Sequence, residues 1–265
     1  MHAYWELVKA GFRRHSRYRA AVAASVFTNT IFGLVRASML LTAIHTAGRD
    51  VGGYSALQAA TYVWLGQGLL GPLDVWGSSV TIGERVRSGD IAVDFTRPVS
   101  VLGAALATNY GRAAFELVPR CLPPLMVGAL ITGLYLPSGI LPYLLGALSL
   151  ILATPLCYCF YFAVSLSALW TVENRGFLVV AMVVQQVLCG FVVPVSWFPG
   201  WLQSLANASP FPAMFQTPVD MFTGRLANAQ AVAVLGLQAV WLAVLVALCQ
   251  LLLRAGRRKV VVQGG

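Results

Sequence analysis

The chain has 265 residues, of which 58% are hydrophobic and 10% are charged, and its mean hydropathy is +0.75. A water-soluble fold of this composition would expose more apolar surface than water tolerates, which excludes the soluble globular classes. The formal net charge is +9. We attribute this charge to membrane orientation and to contact with anionic lipid, and it gives no support to nucleic-acid binding.

Residues 1–19 are predicted to form an amphipathic helix that lies in the cytoplasmic membrane interface. The apolar face holds Tyr4, Trp5, Val8 and Phe12, and the basic face holds Lys9, Arg13, Arg14 and Arg17. The simpler alternative is an ordinary basic anchor that precedes the first membrane span.

Six membrane spans are predicted, at about 20–44, 56–80, 113–136, 141–169, 176–195 and 229–253. Residues 121–172 form a run of 52 positions without a charge. At about 1.5 Å per residue such a run exceeds one crossing of ~30 Å, so it must hold two spans. The break is expected at residues 136–139, where proline removes a donor and glycine permits a turn.

The positions of the basic residues orient these spans. With a cytoplasmic N-terminus, 15 of the 18 Lys and Arg lie on the cytoplasmic side, Arg49 and Arg225 lie opposite, and Arg36 lies within the first span. Cytoplasmic loops collect cations, so both termini are expected in the cytoplasm. The expected location is the plasma membrane, crossed several times.

Residues 82–100, which we call the coupling segment, are unusually polar for this chain. Its charged residues are Glu84, Arg85, Arg87, Asp90, Asp94 and Arg97. A short helix over residues 84–88 should end at Gly89, and an extended or helical piece over 90–96 should end before Pro98. Because anionic headgroups would repel its acidic residues, we expect Glu84, Arg85 and Arg87 to face a protein partner in the cytosol. A solvated loop is the alternative.

The region between the fifth and sixth spans, residues 196–228, contains four prolines and several aromatic residues. Aromatic side chains favour the membrane interface, and proline interrupts long helices. Short helices that dip into the outer interface are therefore predicted here, rather than a free loop.

Motifs for catalysis and for nucleotide or metal binding are not found. Neither lysine, Lys9 or Lys259, lies in a glycine-rich phosphate loop, and the three histidines do not cluster. We therefore expect no catalytic residue, no metal site and no cofactor in this chain.

A transporter driven by protons or ions is the alternative that needs ionisable groups near the membrane midplane. The residues identified for that role are Asp74 and Arg36. Asp74 serves equally well as a carboxylate hydrogen-bonded within the bundle. A membrane scaffold that anchors a cytoplasmic protein, without transport, is a further alternative.

Residues 87–100 read RSGDIAVDFTRPVS. This stretch resembles the pattern basic, x, Gly, x, Ile, x, x, Asp, hydrophobic, x, Arg, Pro, hydrophobic, Ser in permease subunits of type-2 ABC exporters, and among them the viologen-exporter-like group. The length, the six spans, the basic N-terminal helix and the proline-rich outer segment are similar too. Phe95 stands where such permeases often have leucine, an exchange of one apolar residue for another.

The resemblance implies a permease that pairs with a second copy or with a paralogous permease and works with two ABC ATPase subunits. These partners, and not this chain, would bind ATP and Mg²⁺. The coupling element would be residues 84–97, and its motif members are Gly89, Asp94, Arg97 and Pro98. The first, second and fifth spans would line the path for the cargo. Their available side chains are Asn29, Arg36, Tyr62, Gln67, Gln185 and Gln186, each of which is otherwise an interhelical hydrogen-bonding residue.

Overall fold

A computed structural model describes residues 2–16, 19–171, 174–226 and 228–257. In these ranges the regular elements are helices, which confirms the all-α class. The α-helices in chain order are α1 (His2–Ser16), α2 (Arg19–Ala47), α3 (Ala56–Leu73), α4 (Ile82–Arg87), α5 (Ile91–Thr96), α6 (Val101–Ile131), α7 (Leu141–Ser165), α8 (Arg175–Leu188), α9 (Gly200–Asn207), α10 (Phe211–Met214), α11 (Gln216–Phe222) and α12 (Asn228–Arg257).

Within the described residues, four helical stretches are long and apolar enough to cross a membrane, which makes this a multi-pass membrane protein. They are Val22–Ala47, Val101–Ile131, Leu141–Leu169 and Ala229–Arg257. They correspond to the first, third, fourth and sixth predicted spans. The second and fifth spans stay predictions.

The helices at the second and fifth predicted spans are shorter than predicted. The helix α3 ends at Leu73, not near residue 80, because Asp74 adopts the left-handed conformation (φ 50°) that closes a helix. The helix α8 has 14 residues and ends at Leu188, not near 195, since the chain turns at Gly190 (φ 85°). Residues 195–197 form a 3-10 turn instead.

The helix α6 begins well before the predicted span at residue 113. Ser100 caps its first turn by accepting a hydrogen bond from the main-chain nitrogen of Gly103, at 3.3 Å. With 31 residues the helix is about 46 Å long, which exceeds the ~30 Å thickness of a bilayer. The helix ends at Ile131, and Gly139 (φ 84°) lies in the predicted break before α7.

Nearly the whole length of α3 is buried between α2, α6, α7 and α11. Trp64 is fully buried at this crossing, where its Nε1 donates to Thr132 Oγ1 at 3.0 Å. Gly128 of α6 lies against the Trp64 indole, and a Cβ there would come within 2.4 Å of the ring. Small residues of this kind let membrane helices approach closely, and here they make α3 the centre of the bundle.

The predicted N-terminal helix forms over His2–Ser16 and packs against the first turns of α6. Two glycines set the distance between the helices. A Cβ on Gly111 would lie 1.9 Å from the carbonyl oxygen of Val8, and one on Gly11 would lie 2.1 Å from that of Thr108. The Phe12 and Phe115 rings meet edge to face at 5.5 Å. Arg17, predicted for its basic face, is outside the described residues.

The predicted short helices of the outer segment, residues 196–228, are α9, α10 and α11. The helix α11 is buried against α7 and α3, whereas α9 exposes Trp201. The prediction of short helices here is confirmed.

Candidate functional site

The coupling segment consists of α4 and α5, joined by a turn at Gly89. This glycine has a φ of 81°, a conformation that other residues adopt at a cost in strain, and it ends α4 as predicted. The helix α5 ends at Thr96, and Arg97 is extended ahead of Pro98. The sequence thus predicted where each of the two helices ends, whereas the first begins at Ile82 rather than at residue 84.

An ion pair joins the two helices of the coupling segment. Arg85 Nη2 donates to Asp94 Oδ1 at 2.7 Å, and its Nε donates to Asp94 Oδ2. Arg97 Nη1 lies 3.8 Å from the same carboxylate. The hydrogen bond to Asp94 raises the pKa of Arg85. Because a two-point arginine–carboxylate contact fixes direction as well as distance, it sets the angle between α4 and α5.

Arg87 connects the coupling segment to the α7–α8 turn. Its Nη1 donates to Asn174 Oδ1 at 3.0 Å, and Asn174 Nδ2 donates to the carbonyl of Ser165 at 3.1 Å. Farther along, the Arg257 guanidinium at the end of α12 lies over the Phe95 ring, 4.7 Å from its centroid. The coupling segment is therefore attached to the ends of α7 and α12.

These contacts divide the predicted coupling residues into two groups. Arg85, Arg87 and Asp94 bond within the chain, so they position the segment. The exposed group carries both charges and apolar surface, and Arg97 in it also lies near Asp94: Glu84, Gly89, Asp90, Val93, Arg97 and Pro98. Val93, which is 55% exposed, was not identified from the sequence, although an apolar residue between the acids at 90 and 94 was the available signal.

Three of the residues predicted for a transport path meet in one hydrogen-bonded group. Asn29 Nδ2 donates to the main-chain carbonyl of Gln67 at 3.2 Å. In the orientation that satisfies both neighbours, the Gln67 amide nitrogen donates to the Asn29 carbonyl at 3.2 Å and its oxygen accepts from Arg36 at 3.0 Å. Arg36 also donates to the Phe191 carbonyl and lies over that ring, 4.3 Å from its centroid. The group joins α2, α3 and the turn after α8.

The other three predicted path residues, Tyr62, Gln185 and Gln186, are not part of this group. Tyr62 is fully buried, and its hydroxyl donates to the carbonyl of Gly190 at 2.7 Å. Gln185 is fully buried, yet its amide atoms have no hydrogen-bond partner in the described part of the chain. Gln186 is half-buried. In this conformation Asn29, Arg36, Tyr62 and Gln67 hydrogen-bond to other segments of the bundle. The Gln185 amide can still donate and accept hydrogen bonds.

Asp74, predicted as an intramembrane carboxylate, caps the turn that follows α3. Its Oδ1 accepts from the main-chain nitrogen and the hydroxyl of Ser78 at 2.9 and 2.7 Å. Its Oδ2 accepts from the same groups of Ser79 at 2.9 and 2.5 Å. Four donors occupy the carboxylate, which supports the interpretation of Asp74 as a carboxylate hydrogen-bonded within the bundle.

A buried charge cluster, Arg112, Glu116 and Arg120, lies where α6 crosses the end of α3. Arg112 Nη1 donates to Glu116 Oε2 at 2.8 Å and to the Gly71 carbonyl at 2.7 Å, and its Nη2 donates to the Pro72 carbonyl at 3.1 Å. The last carbonyls of a helix lack partners within it, so Arg112 caps α3 from a neighbouring helix. Arg120 lies 3.5 Å from Glu116.

The charge cluster corrects the sequence analysis. Glu116 and Arg120 fall inside the predicted span at 113–136, yet only Asp74 and Arg36 were identified as ionisable groups within spans. The signal was the spacing of four between residues 112, 116 and 120, which places opposite charges on one helical face.

A family model described as ABC-2 family transporter protein matches residues 32–264, which is most of the chain. The chain belongs to the ABC-2 family. It is accordingly a permease subunit of an ABC transporter, and permeases of this family generally work with ABC ATPase partners. Neither the curated proteins nor the solved structures contain a match.

This ABC-2 permease has a second polar cluster, between α11 and the α2–α3 loop, which was not predicted from the sequence. In the outer cluster of Tyr54, Gln216, Asp220 and Arg225, the Asp220 carboxylate accepts from Tyr54 Oη at 2.5 Å, from Arg225 Nη1 at 3.1 Å and from Gln216 Nε2 at 3.1 Å. Burial raises the pKa of Asp220, and the Arg225 guanidinium is the largest effect opposing it. The cluster fastens α11 to the loop between α2 and α3.

We expect Asp220→Ala to loosen the outer segment of the ABC-2 permease. Three donors would lose their acceptor, and at about 1–3 kcal/mol for a buried unsatisfied group the attachment of α11 should weaken severalfold. Hydrogen exchange should accelerate across residues 195–224 while the coupling segment keeps its protection. Asp50→Ala, an exposed change in the α2–α3 loop, is the matched control. Unchanged exchange in Asp220→Ala would show that this cluster does not hold the outer segment.

Proposed function

We propose that this chain is the membrane half of an ATP-driven exporter, that it crosses the membrane six times, and that separate ATPase subunits drive it through the coupling segment. The main support is the construction of that segment: an exposed, mixed-charge surface on two short helices, attached to the ends of α7 and α12 through Arg87 and Arg257. A movement of this surface would be transmitted to α7 and α12 through these two contacts.

The proposal of six crossings takes α3 and α8 as the second and fifth, and the length and surroundings of α3 support it. At about 1.5 Å per residue, the 18 residues of α3 span roughly 27 Å, close to the thickness of a bilayer. Because protein rather than lipid covers α3, it can carry Gln67 and several glycines and still cross. The distribution of the basic residues supports a cytoplasmic position for the coupling segment and for both termini.

ATP hydrolysis is proposed to take place in other polypeptides. The sequence contains no phosphate loop, so two ABC ATPase subunits would supply the sites for ATP and Mg²⁺, and this chain would be non-catalytic. A second permease, identical or paralogous, would complete the transport path. The resemblance to viologen-exporter-like permeases supports export as the direction.

The path is proposed to run beside α2, α3 and α8, where the predicted polar residues lie. Gln185 supports this, since a buried amide without a partner costs free energy unless a second chain, a cargo molecule or another conformation satisfies it. Proton-coupled export has less support, because four donors already occupy Asp74.

Reversal of one exposed charge on the coupling segment tests the docking proposal. Asp90→Arg should lower the affinity for the ATPase that co-purifies with the tagged wild-type chain by about tenfold. The reversed charge at residue 90 would no longer complement the charges on the ATPase surface. The measurements are the amount of ATPase recovered, identified by mass spectrometry, and its ATP hydrolysis. Val93→Asp should act in the same direction.

Asp50→Arg is the matched control, because it reverses one exposed acid in the α2–α3 loop, away from the coupling segment. It should leave recovery unchanged. Recovery of equal amounts of ATPase with Asp90→Arg and Val93→Asp would contradict docking here, and the absence of any ATPase with the wild-type chain would contradict the proposed function.

A further inference from the structure

A cavity of about 880 Å³ lies between α1, the coupling segment and the first turns of α6. Its size falls within the range of small-molecule sites in proteins. It opens to the surface, because Lys9 and Arg97 on its border are both exposed in part. We call it the basic cavity.

Cations outnumber acids around the basic cavity. Two carboxylates, Glu6 and Asp94, border it, against six basic side chains: Lys9, Arg13, Arg14, Arg85, Arg97 and Arg112. Lys9 pairs with Glu6, and Arg85 and Arg97 share Asp94. Arg13 and Arg14 have no ion pair in the described part of the chain. The walls therefore carry positive charge that the chain itself leaves without counterions.

The faces of α1 indicate the depth at which this cavity sits. One face packs on α6 through Val8 and Gly11, and a second borders the cavity through Lys9 and Arg13. Trp5, which is 61% exposed, lies on the side turned away from both. An exposed aromatic face on a helix with a basic face is typical of the bilayer interface. The cavity is therefore at the level of lipid headgroups.

We propose that the basic cavity binds the phosphate headgroup of an anionic phospholipid from the surrounding leaflet. Arg13 and Arg14 supply the uncompensated charge, and arginine donates to two phosphate oxygens at once. The apolar side chains of Leu7, Val99 and Val101 on the cavity wall provide a surface for the glycerol and the first acyl carbons. Basic pockets between membrane helices bind acidic headgroups in this way.

The test is lipid binding by the whole chain, purified without an ATPase. Native mass spectrometry would count retained molecules of phosphatidylglycerol, with phosphatidylcholine and inorganic phosphate as the comparison probes. We expect phosphatidylglycerol to bind preferentially, and Arg13→Gln/Arg14→Gln to weaken it by about fivefold for each cation removed. Arg13→Lys/Arg14→Lys keeps the charge and should retain most of the binding, which separates loss of charge from misfolding.

The matched control is Arg49→Gln/Arg254→Gln, which removes two cations that do not border the cavity. It should bind phosphatidylglycerol like the wild type. Equal binding of phosphatidylcholine, unchanged binding in Arg13→Gln/Arg14→Gln, or inorganic phosphate binding as tightly as the lipid would overturn the proposal. ATPase recovery by tagged Arg13→Gln/Arg14→Gln is measured as well. If this variant loses the ATPase and still binds phosphatidylglycerol like the wild type, the cavity binds a protein instead. ATPase recovery in the Asp90→Arg experiment tests the proposed function separately.

Discussion

Glu116→Gln is expected to lower the free energy of unfolding by about 3–5 kcal/mol, the usual cost of removing one partner from a buried ion pair. The side chains of Glu116 and Arg112 are only 6% and 5% exposed. The substitution leaves Arg112 and Arg120 without a counterion between α3 and α6. Because Arg112 also caps the end of α3, the two helices should separate where α6 crosses that end.

Thermal unfolding of the detergent-purified chain, followed by the fraction that stays monodisperse, measures this effect. For a chain of this size the expected loss corresponds to a Tm lower by roughly 10 °C. Arg112→Met/Glu116→Leu removes the buried pair together and should be less destabilising than Arg112→Met or Glu116→Gln alone, since only the partly exposed Arg120 then lacks its counterion. Arg254→Met is the exposed control. Additive losses in the double variant would mean that the pair is not coupled.

The second large effect is expected from Arg85→Asp. This change sets a new carboxylate against Asp94 and replaces the bidentate contact between α4 and α5 with repulsion. We expect ATP hydrolysis by the co-purified complex to become insensitive to cargo, and its coupled rate to fall about tenfold, because the exposed surface of the segment loses its fixed angle. Hydrogen exchange across residues 82–97 should rise in parallel.

The exchange variant Arg85→Asp/Asp94→Arg restores opposite charges and should recover most of the coupled rate. Arg254→Asp reverses an exposed charge near the end of α12 and should have little effect. A fully active Arg85→Asp complex, or an exchange variant no better than the single one, would show that this ion pair does not position the segment.

Local chemistry predicted the coupling segment well. Gly89 and Pro98 end helices through their own backbone geometry, which no distant residue can change. Charge patterns were less informative about ion pairs. Asp90 and Asp94 both lie close to Arg85 in the sequence, which does not show that Asp94 is the partner. Arg85 and Arg87 hydrogen-bond within the chain, which the sequence did not predict, and their place at a docking surface stays a prediction.

Long-range polar contacts were the main part of the site that the sequence did not predict. Tyr54 and Asp220 are 166 positions apart, and nothing in the sequence around either residue indicates that they are in contact. The start of α6 was misplaced for a related reason. Arg112 was treated as a cytoplasmic charge ahead of a span, but Glu116 and two carbonyls of α3 neutralise it, and the helix continues through this point.

The contact of α1 with α6 at Gly11 and Gly111 has a mechanical consequence. Main-chain atoms meet there, so neither helix can rotate or slip past the other without steric overlap. The N-terminal helix and the first turns of α6 must then tilt as one stiff unit. Flexing is easiest farther along α6, at Pro119, Pro123 and Pro124, where each ring removes a hydrogen-bond donor. The pivot of α6 therefore belongs near these prolines and not in its first turns.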